Sequence, residues 1–265
     1  MRFPLFACTT LALLATATRL SAQISLVGNS IDEHEAAPGE RYEGTLVVQN
    51  TTAEPQLARL YQTDYRFFAD GRSLYEAPGS TARSNAAWVA LPAAPVTIPA
   101  GETATIHYRV TVPVAPADSL HGSYWSLIMV EGAAPAVARA DSRVALAPTV
   151  RYAVQVVTHI GRTGAPSVEF TRPTATSAAD GARFLEVDLG NAGDRAGRMQ
   201  LTLELYGEDG RSAGTYRATR GLVYPGASVR QRFALGELPA GTYRALLVAD
   251  AGAEAVFGAQ YTLHY

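Results

Sequence analysis

The segment TVRYAVQVVTHI, residues 149–160, decides how the rest of the chain is read. Val150, Tyr152, Val154, Val156 and Ile160 fall on even positions and Arg151, Gln155 and His159 on odd ones. That is the two-residue period of a strand with one apolar and one wet face. Such a strand is either an ordinary member of a sandwich or an edge that offers alternate apolar side chains to another chain. Just upstream, residues 143–147 continue the pattern with Val144 and Leu146, and Pro148 stands between the two runs. Proline cannot donate a ladder hydrogen bond, so the joined segment is expected to bend there or to sit at a sheet edge.

Outward from this strand the text stays β-like. Short apolar runs are punctuated by Gly, Pro, Asn and Asp, and no amphipathic helix interrupts them. Upstream, strands are expected at 42–49, 56–68, 88–91, 103–112 and 125–130, with turns at Asn50-Thr51-Thr52, Asp70-Gly71 and Pro99-Ala100-Gly101. Trp88 is large enough to anchor a core, and 76–85 reads as a surface loop. Downstream of a linker at 161–165 the order recurs. A strand at 183–189 ends in Asn191-Ala192-Gly193, as an earlier one ends in Asn50; 199–206 runs into Asp209-Gly210, as 56–68 runs into Asp70-Gly71. Tyr224-Pro225-Gly226 precedes the strand at 229–235, and Gly241-Thr242-Tyr243 echoes Gly122-Ser123-Tyr124. Four correspondences in one order make an internal repeat of about seven strands, as expected of an immunoglobulin-like sandwich. The fold class is therefore all-β, with two such domains in tandem, 23–160 and 166–265, after a signal peptide at 1–22. Tyr124 and Tyr243 would be corner tyrosines.

The leader assignment rests on Arg2, an apolar run over residues 5–17 and the small residues before Gln23, with cleavage expected after Ala22. The run is too short to span a bilayer, and no later stretch approaches the roughly 20 apolar residues a spanning helix needs. The mature protein is thus expected in the periplasm or at the cell surface. Cys8, the single cysteine, leaves with the leader, so disulfides, thiol nucleophiles and thiolate metal sites are all excluded. Loss of Arg2 and Arg19 takes the formal charge of −2 to −4, which offers no basic footprint for nucleic acid. Every cation in the chain is arginine.

Motifs that would carry chemistry are missing or out of context. Gly210-Arg211-Ser212-Ala213-Gly214 satisfies G-x-S-x-G, but it follows a hairpin turn and leads into another strand, whereas a nucleophile elbow joins a strand to a helix. The five histidines are scattered singly, without metal-ligand spacing. Asp32-Glu33-His34-Glu35 is the one acidic cluster; it reads as a solvated N-terminal segment, with an oxygen-rich Ca²⁺ site as the sharper alternative. Asn50-Thr51-Thr52 also matches a glycosylation sequon. Tyr61, Tyr65 and Phe67 alternate on one strand face and read as core, with a binding patch that includes Phe68 as the alternative. No enzyme activity, cofactor or metal is expected.

Pro38-Gly39-Glu40 before a strand ending in Asn50, then Arg83, Trp88, residues 99–102, Val112-Pro113 and Gly122-Ser123-Tyr124, resemble the N-terminal domain of periplasmic pilus chaperones. They resemble equally the wall-binding domains of WxL-interacting proteins. The resemblance covers about residues 24–160 and implies two domains forming a boomerang, the last strand of the first being lent to an incomplete pilus subunit. On that reading the partner-binding edge strand presents Val144, Leu146, Val150, Tyr152, Val154 and Val156, and its partners are pilin-like or other envelope polypeptides. The family also holds the subunit's terminal carboxylate with two basic residues. Arg151 is placed for one of them, while residues 23–40 contain no Lys or Arg for the other. The alternative is a cell-envelope module that binds peptidoglycan or another cell-wall polymer.

Overall fold

The protein is described by a computed structural model, which covers residues 24–114, 119–133, 150–171, 173–252 and 255–265. The leader with its Ala22 cleavage point, the strand at 143–147 with Val144 and Leu146, and Pro148 lie outside the described residues. What is described is built from strands and one short 3₁₀ turn, Ala86–Trp88.

The first sandwich consists of β1 (Ile24–Val27), β2 (Ile31–Ala36), β3 (Arg41–Asn50), β4 (Gln56–Phe67), β5 (Ser73–Glu76), β6 (Val89–Ala90), β7 (Val96–Ile98), β8 (Thr103–Thr111), β9 (Gly122–Ala133) and β10 (Arg151–Ile160). One sheet runs β1-β3-β8-β6 and the other β2-β10-β9-β4-β5, with β7 also on β4. The second sandwich consists of β11 (Val168–Phe170), β12 (Thr174–Ser177), β13 (Arg183–Asn191), β14 (Gly197–Gly207), β15 (Ser212–Val223), β16 (Ser228–Gly236), β17 (Thr242–Asp250) and β18 (Val256–His264). Its sheets are β11-β13-β12, with β16 on β13, and β15-β14-β17-β18. The all-β, tandem immunoglobulin-like architecture expected from the sequence is the one observed.

Alternation drives both cores. On β3, Tyr42, Leu46 and Val48 are buried; on β8, Ile106, Tyr108 and Val110; on β10, Val154, Val156 and Ile160, all in one cluster between the two sheets. Fully burying each such side chain contributes about 1.5–3 kcal/mol. Tyr108 reaches its place because Gly44 lies directly across the ladder, where any Cβ would run into the phenol ring.

The internal repeat is repeated in atomic detail at the two asparagines. Asn50 is wholly buried, and its Nδ2 donates to the carbonyls of Glu54 at 2.8 Å, Ile98 at 3.1 Å and Pro99 at 3.0 Å. Asn191, 1% exposed, donates from Nδ2 to Arg195 O at 2.8 Å and Val223 O at 2.9 Å. Each Oδ1 accepts a backbone N–H two residues on, from Thr52 and Gly193 respectively. Each asparagine therefore plugs the turn that leaves its strand. With its amide engaged three times in the interior, Asn50 is a turn residue rather than a sugar acceptor.

Some expectations change. Trp88 ends the 3₁₀ turn instead of opening a strand, and it packs at the margin of the core with its ring 4.8 Å from that of Tyr124. The segment 76–85 is exposed along much of its length yet tied down from within. Asp64, wholly buried, accepts hydrogen bonds from the N–H of Gly79 and Thr81 and the hydroxyls of Ser80, Thr81 and Ser84. Tyr243 is a tyrosine corner, its hydroxyl donating to Pro239 O at 2.8 Å. Tyr124 instead carries Trp88 on its ring and Arg83 over it.

Candidate protein-binding edge and interdomain elbow

β10 is bordered along its whole length by antiparallel β9, and among the described residues its other side is paired only over Gln155–Ile160, by parallel β2. Gln155 N–H donates to Ser30 O at 2.8 Å, while Val150 O accepts from Gly132 on the β9 side. Backbone groups alternate sides along a strand, so Arg151 and Ala153 direct their N–H and C=O toward the uncovered side. The reason for the gap is the path of the N-terminal chain. β1 pairs with β3 in the opposite sheet, turns at Gly28, and only then joins β10 as β2. Where it changes sheets the sandwich is split, leaving a groove of about 450 Å³ lined by Leu26, Val27, Ile31, Leu46 and Val154 among others.

The residues named from the sequence divide along this strand. Val154 and Val156 are 1% and 0% exposed and belong to the core of their own sandwich, so their side chains are already committed. Tyr152 is half-buried, its hydroxyl donating to Ile24 O at 3.0 Å across the mouth of the split, and Val150 is half-buried at the start of the ladder. Arg151 is exposed and donates from Nε to Glu131 Oε2 at 2.8 Å on the neighbouring strand. Its positive charge therefore already has a carboxylate partner within the sheet.

The odd face of β10, expected to be wet, is covered by the second sandwich. Val157 and Trp125 are buried in the second domain's core cluster together with Leu201, Val223 and Tyr224. The Tyr224 hydroxyl donates to Gln155 Oε1, and burial pushes its pKa upward. Tyr65 and Phe67 of β4 pack against the same cluster, with Phe67 edge-on to Tyr224 at 5.8 Å. Tyr65 and Phe67 are thus core at the junction between the two sandwiches, whereas Tyr61 of the same row is half-buried outside both cores, its hydroxyl donating to Glu131 Oε2 at 3.3 Å.

The acidic cluster is a paired strand, with Glu33 and Glu35 exposed and Asp32 and His34 partly buried. As β2, its residues alternate: Asp32 accepts from the Tyr108 hydroxyl and His34 stacks on Tyr42 at 3.9 Å, both in the first sandwich. Glu33 and Glu35 face the other way and pair with Arg198 and Arg195 of the second sandwich. Two faces of one strand thus serve two domains, which is the opposite of an oxygen cage converging on one ion. Among the described residues no group of three or more His, Cys, Asp or Glu is placed to hold a metal.

Ser123, His159 and Glu33 form a chain at this junction. Ser123 Oγ lies 2.7 Å from His159 Nδ1, and His159 Nε2 lies 3.5 Å from Glu33 Oε2. The order is that of a nucleophile, base and orienting acid, but Ser123 is wholly buried and its Oγ also accepts the Ala196 N–H at 2.9 Å. The hydroxyl is a bracket between domains with no approach for a substrate. Burial and then the nearby Arg195 lower the His159 pKa, so the ring is neutral and accepts the serine proton at Nδ1. Beside it, Ser123 N–H donates to Asp194 O at 2.9 Å, and Arg195 Nη1 donates to Gly161 O at 2.8 Å and Thr163 O at 2.9 Å. Gly122 adopts φ +73° here, and any Cβ on it would strike the Asp194 carbonyl. The G-x-S-x-G pentapeptide is elsewhere, spanning a hairpin turn and the first residues of β15.

Sequence reasoning found β10 but missed β2, its partner, because Ile31–Ala36 carries charge on both faces and has no apolar period. A signal did exist in Arg195 and Arg198, two cations that follow the Asn191 turn and suit the spacing of Glu33 and Glu35.

No protein-family model matches the chain, and no curated protein matches it. Among solved structures it is similar to chaperones of fimbriae. A chaperone–tip adhesin complex of CFA/I fimbriae biogenesis matches at 9% identity over 91% of this chain and 98% of that one, TM-score 0.47. The class 5 fimbriae chaperone CfaA matches at 11% identity over 90% and 98%, TM-score 0.47. A Salmonella enterica SafA pilin–SafB chaperone complex matches at 13% identity over 93% and 99%, TM-score 0.44.

Proposed function

We propose that the protein is a non-enzymatic, exported chaperone-like factor that binds incomplete pilus or surface-fibre subunits by strand addition at the open half of β10. The observation that carries this reading is the split beside β10. Among the described residues it leaves the backbone of Arg151 and Ala153 unpaired, beside a groove of mixed lining that Val154 reaches and that Leu26, Leu46, Asn29 and Asp32 also wall; an unpaired strand edge is what strand addition exploits. Because Val154 and Val156 already serve the core, the donated apolar row is Val144, Leu146, Val150 and Tyr152. A subunit carboxylate would reach Arg151 by taking the place of Glu131 in an exposed pair, where little is lost. No helix among the described residues is long and apolar enough to cross a membrane, which suits a periplasmic or surface location.

The test is co-expression of the full chain with an aggregation-prone pilin-like subunit, wild type against Ala153→Pro and Leu146→Arg. Proline at 153 removes one outward N–H from the open edge and leaves the β9 ladder intact. The expected result is soluble co-purified subunit with the wild type, loss of capture with both variants, and unchanged thermal melting of the chaperone. Absence of rescue by the wild type, or full capture by both variants, would refute strand addition. Retention on isolated wall material instead would support the polymer-binding alternative.

A further inference from the structure

Among the described residues β18 differs from every other sheet edge. It is nine residues long, VFGAQYTLH, without Asp, Glu, Arg or Pro, and nothing pairs with its outer side. The other edges are guarded in the usual ways. β15, at the opposite end of the same sheet, carries Arg217 and Arg220 and two register shifts against β14. β16 carries Arg230 and Arg232, β2 is acidic, β1, β5, β6, β7, β11 and β12 are no longer than four residues, and the unpaired part of β10 is a short stretch carrying Arg151.

The hydrogen-bond phase of β18 is fixed at both ends. Gly241 and Tyr265 exchange both backbone bonds at 3.1 Å, and Ala251 N–H donates to Ala255 O at 2.9 Å. Bonded and non-bonded pairs alternate in an antiparallel ladder, so Phe257, Ala259, Tyr261 and Leu263 bond to β17. Val256, Gly258, Gln260, Thr262 and His264 turn their N–H and C=O outward. These five residues are centred on Gln260 and all are exposed.

We propose that β18 is a self-association edge, joining two copies antiparallel about a two-fold axis at Gln260 to make one continuous eight-stranded sheet. In that register Val256 of one copy opposes His264 of the other, Gly258 opposes Thr262 and Gln260 opposes itself. Every outward group of both strands is then satisfied at once, and no like charges meet. A second copy presents the same uncharged strand, so the two-fold about Gln260 makes the edge self-complementary in one register. Leu246, 36% exposed and paired with Gln260 on the outer face, is brought close to the axis and loses part of its exposure.

Sedimentation equilibrium of the mature chain over a concentration series tests this, with Gln260→Lys, Gln260→Glu and their equimolar mixture. Association is expected for the wild type. Each charge variant should raise the dimer Kd, by up to about fivefold, the effect of like charges directly opposed across a strand pair. Mixing the two variants should restore association as a heterodimer. Thr262→Pro, which removes an outward donor only, should abolish association without lowering the melting temperature. A wild type that stays monomeric at its solubility limit, charge variants that associate as well as the wild type, or a mixture that does not recover each overturn the proposal.

Discussion

The indole of Trp125 lies flat on the phenol ring of Tyr224, centroids 4.5 Å apart and planes 6° from parallel. One ring belongs to the first sandwich and the other to the second. Trp125 is fixed from behind by its Nε1–H, which donates to Tyr65 O at 2.8 Å, and Tyr224 by its hydroxyl on Gln155. The stack therefore makes the second core continuous with the odd face of β9 and β10.

Truncating either ring should loosen both domains together. Trp125→Ala opens a large cavity in a residue 3% exposed, and we expect a loss of about 3–5 kcal/mol in urea unfolding. Tyr224→Phe keeps the stack and removes the bond to Gln155, for about 1 kcal/mol. A double-mutant cycle between Trp125→Ala and Tyr224→Ala should show coupling of about 0.5–1.5 kcal/mol. Strict additivity would mean that the two rings are merely adjacent.

Acid should weaken the elbow through His159. Burial, then Arg195, lower its pKa below the ordinary 6.5, against the opposing pull of Glu33 and Glu35. The unfolded chain binds its proton first on acidification, so the stabilisation is complete above 6.5 and is lost as pH falls through the lowered folded value. Protonation would also put a donor at Nδ1, where Ser123 now donates. Urea midpoints of the wild type should therefore drop more steeply between pH 6.5 and that lowered value than those of His159→Gln. Parallel curves for the two proteins would exclude this histidine as the cause.

Asn50 and Asn191 should behave as equivalents. Replacing Asn50 by alanine orphans three carbonyls, the Thr52 N–H and the Thr52 hydroxyl, and replacing Asn191 orphans two carbonyls and the N–H groups of Ser167 and Gly193. The expected cost is about 2–4 kcal/mol in each case, read by hydrogen exchange as deprotection starting in the domain that carries the change. A neutral result at one site alone would break the equivalence of the two repeats.

Much of this architecture follows from the sequence. A period of two in β3, β8, β10, β13 and β14 is enough to place their apolar faces inward, because a pleated strand leaves a side chain only two directions. The asparagine and glycine turns mark where those strands must end, and the repetition of Asn50 by Asn191 announces a second sandwich. Local chemistry likewise argues against an elbow at Ser212, since Asp209-Gly210 can only make a turn there.

What only the tertiary structure decides is which face meets what. Gln155 and His159 look like a solvent face because the pattern within β10 cannot register a second domain lying on it. β2 is hidden in the sequence for the same reason: its charges are satisfied by Arg195 and Arg198, more than 150 residues away. Val154 and Val156 have the same alternation as Val150 and Tyr152, yet two are core and two lie at an open margin. The difference is made by β1, which crosses from one sheet to the other at Gly28 and leaves half of β10 uncovered. Periodicity tells a side chain to seek an apolar neighbour; only the path of the rest of the chain determines whether that neighbour is its own core or another protein.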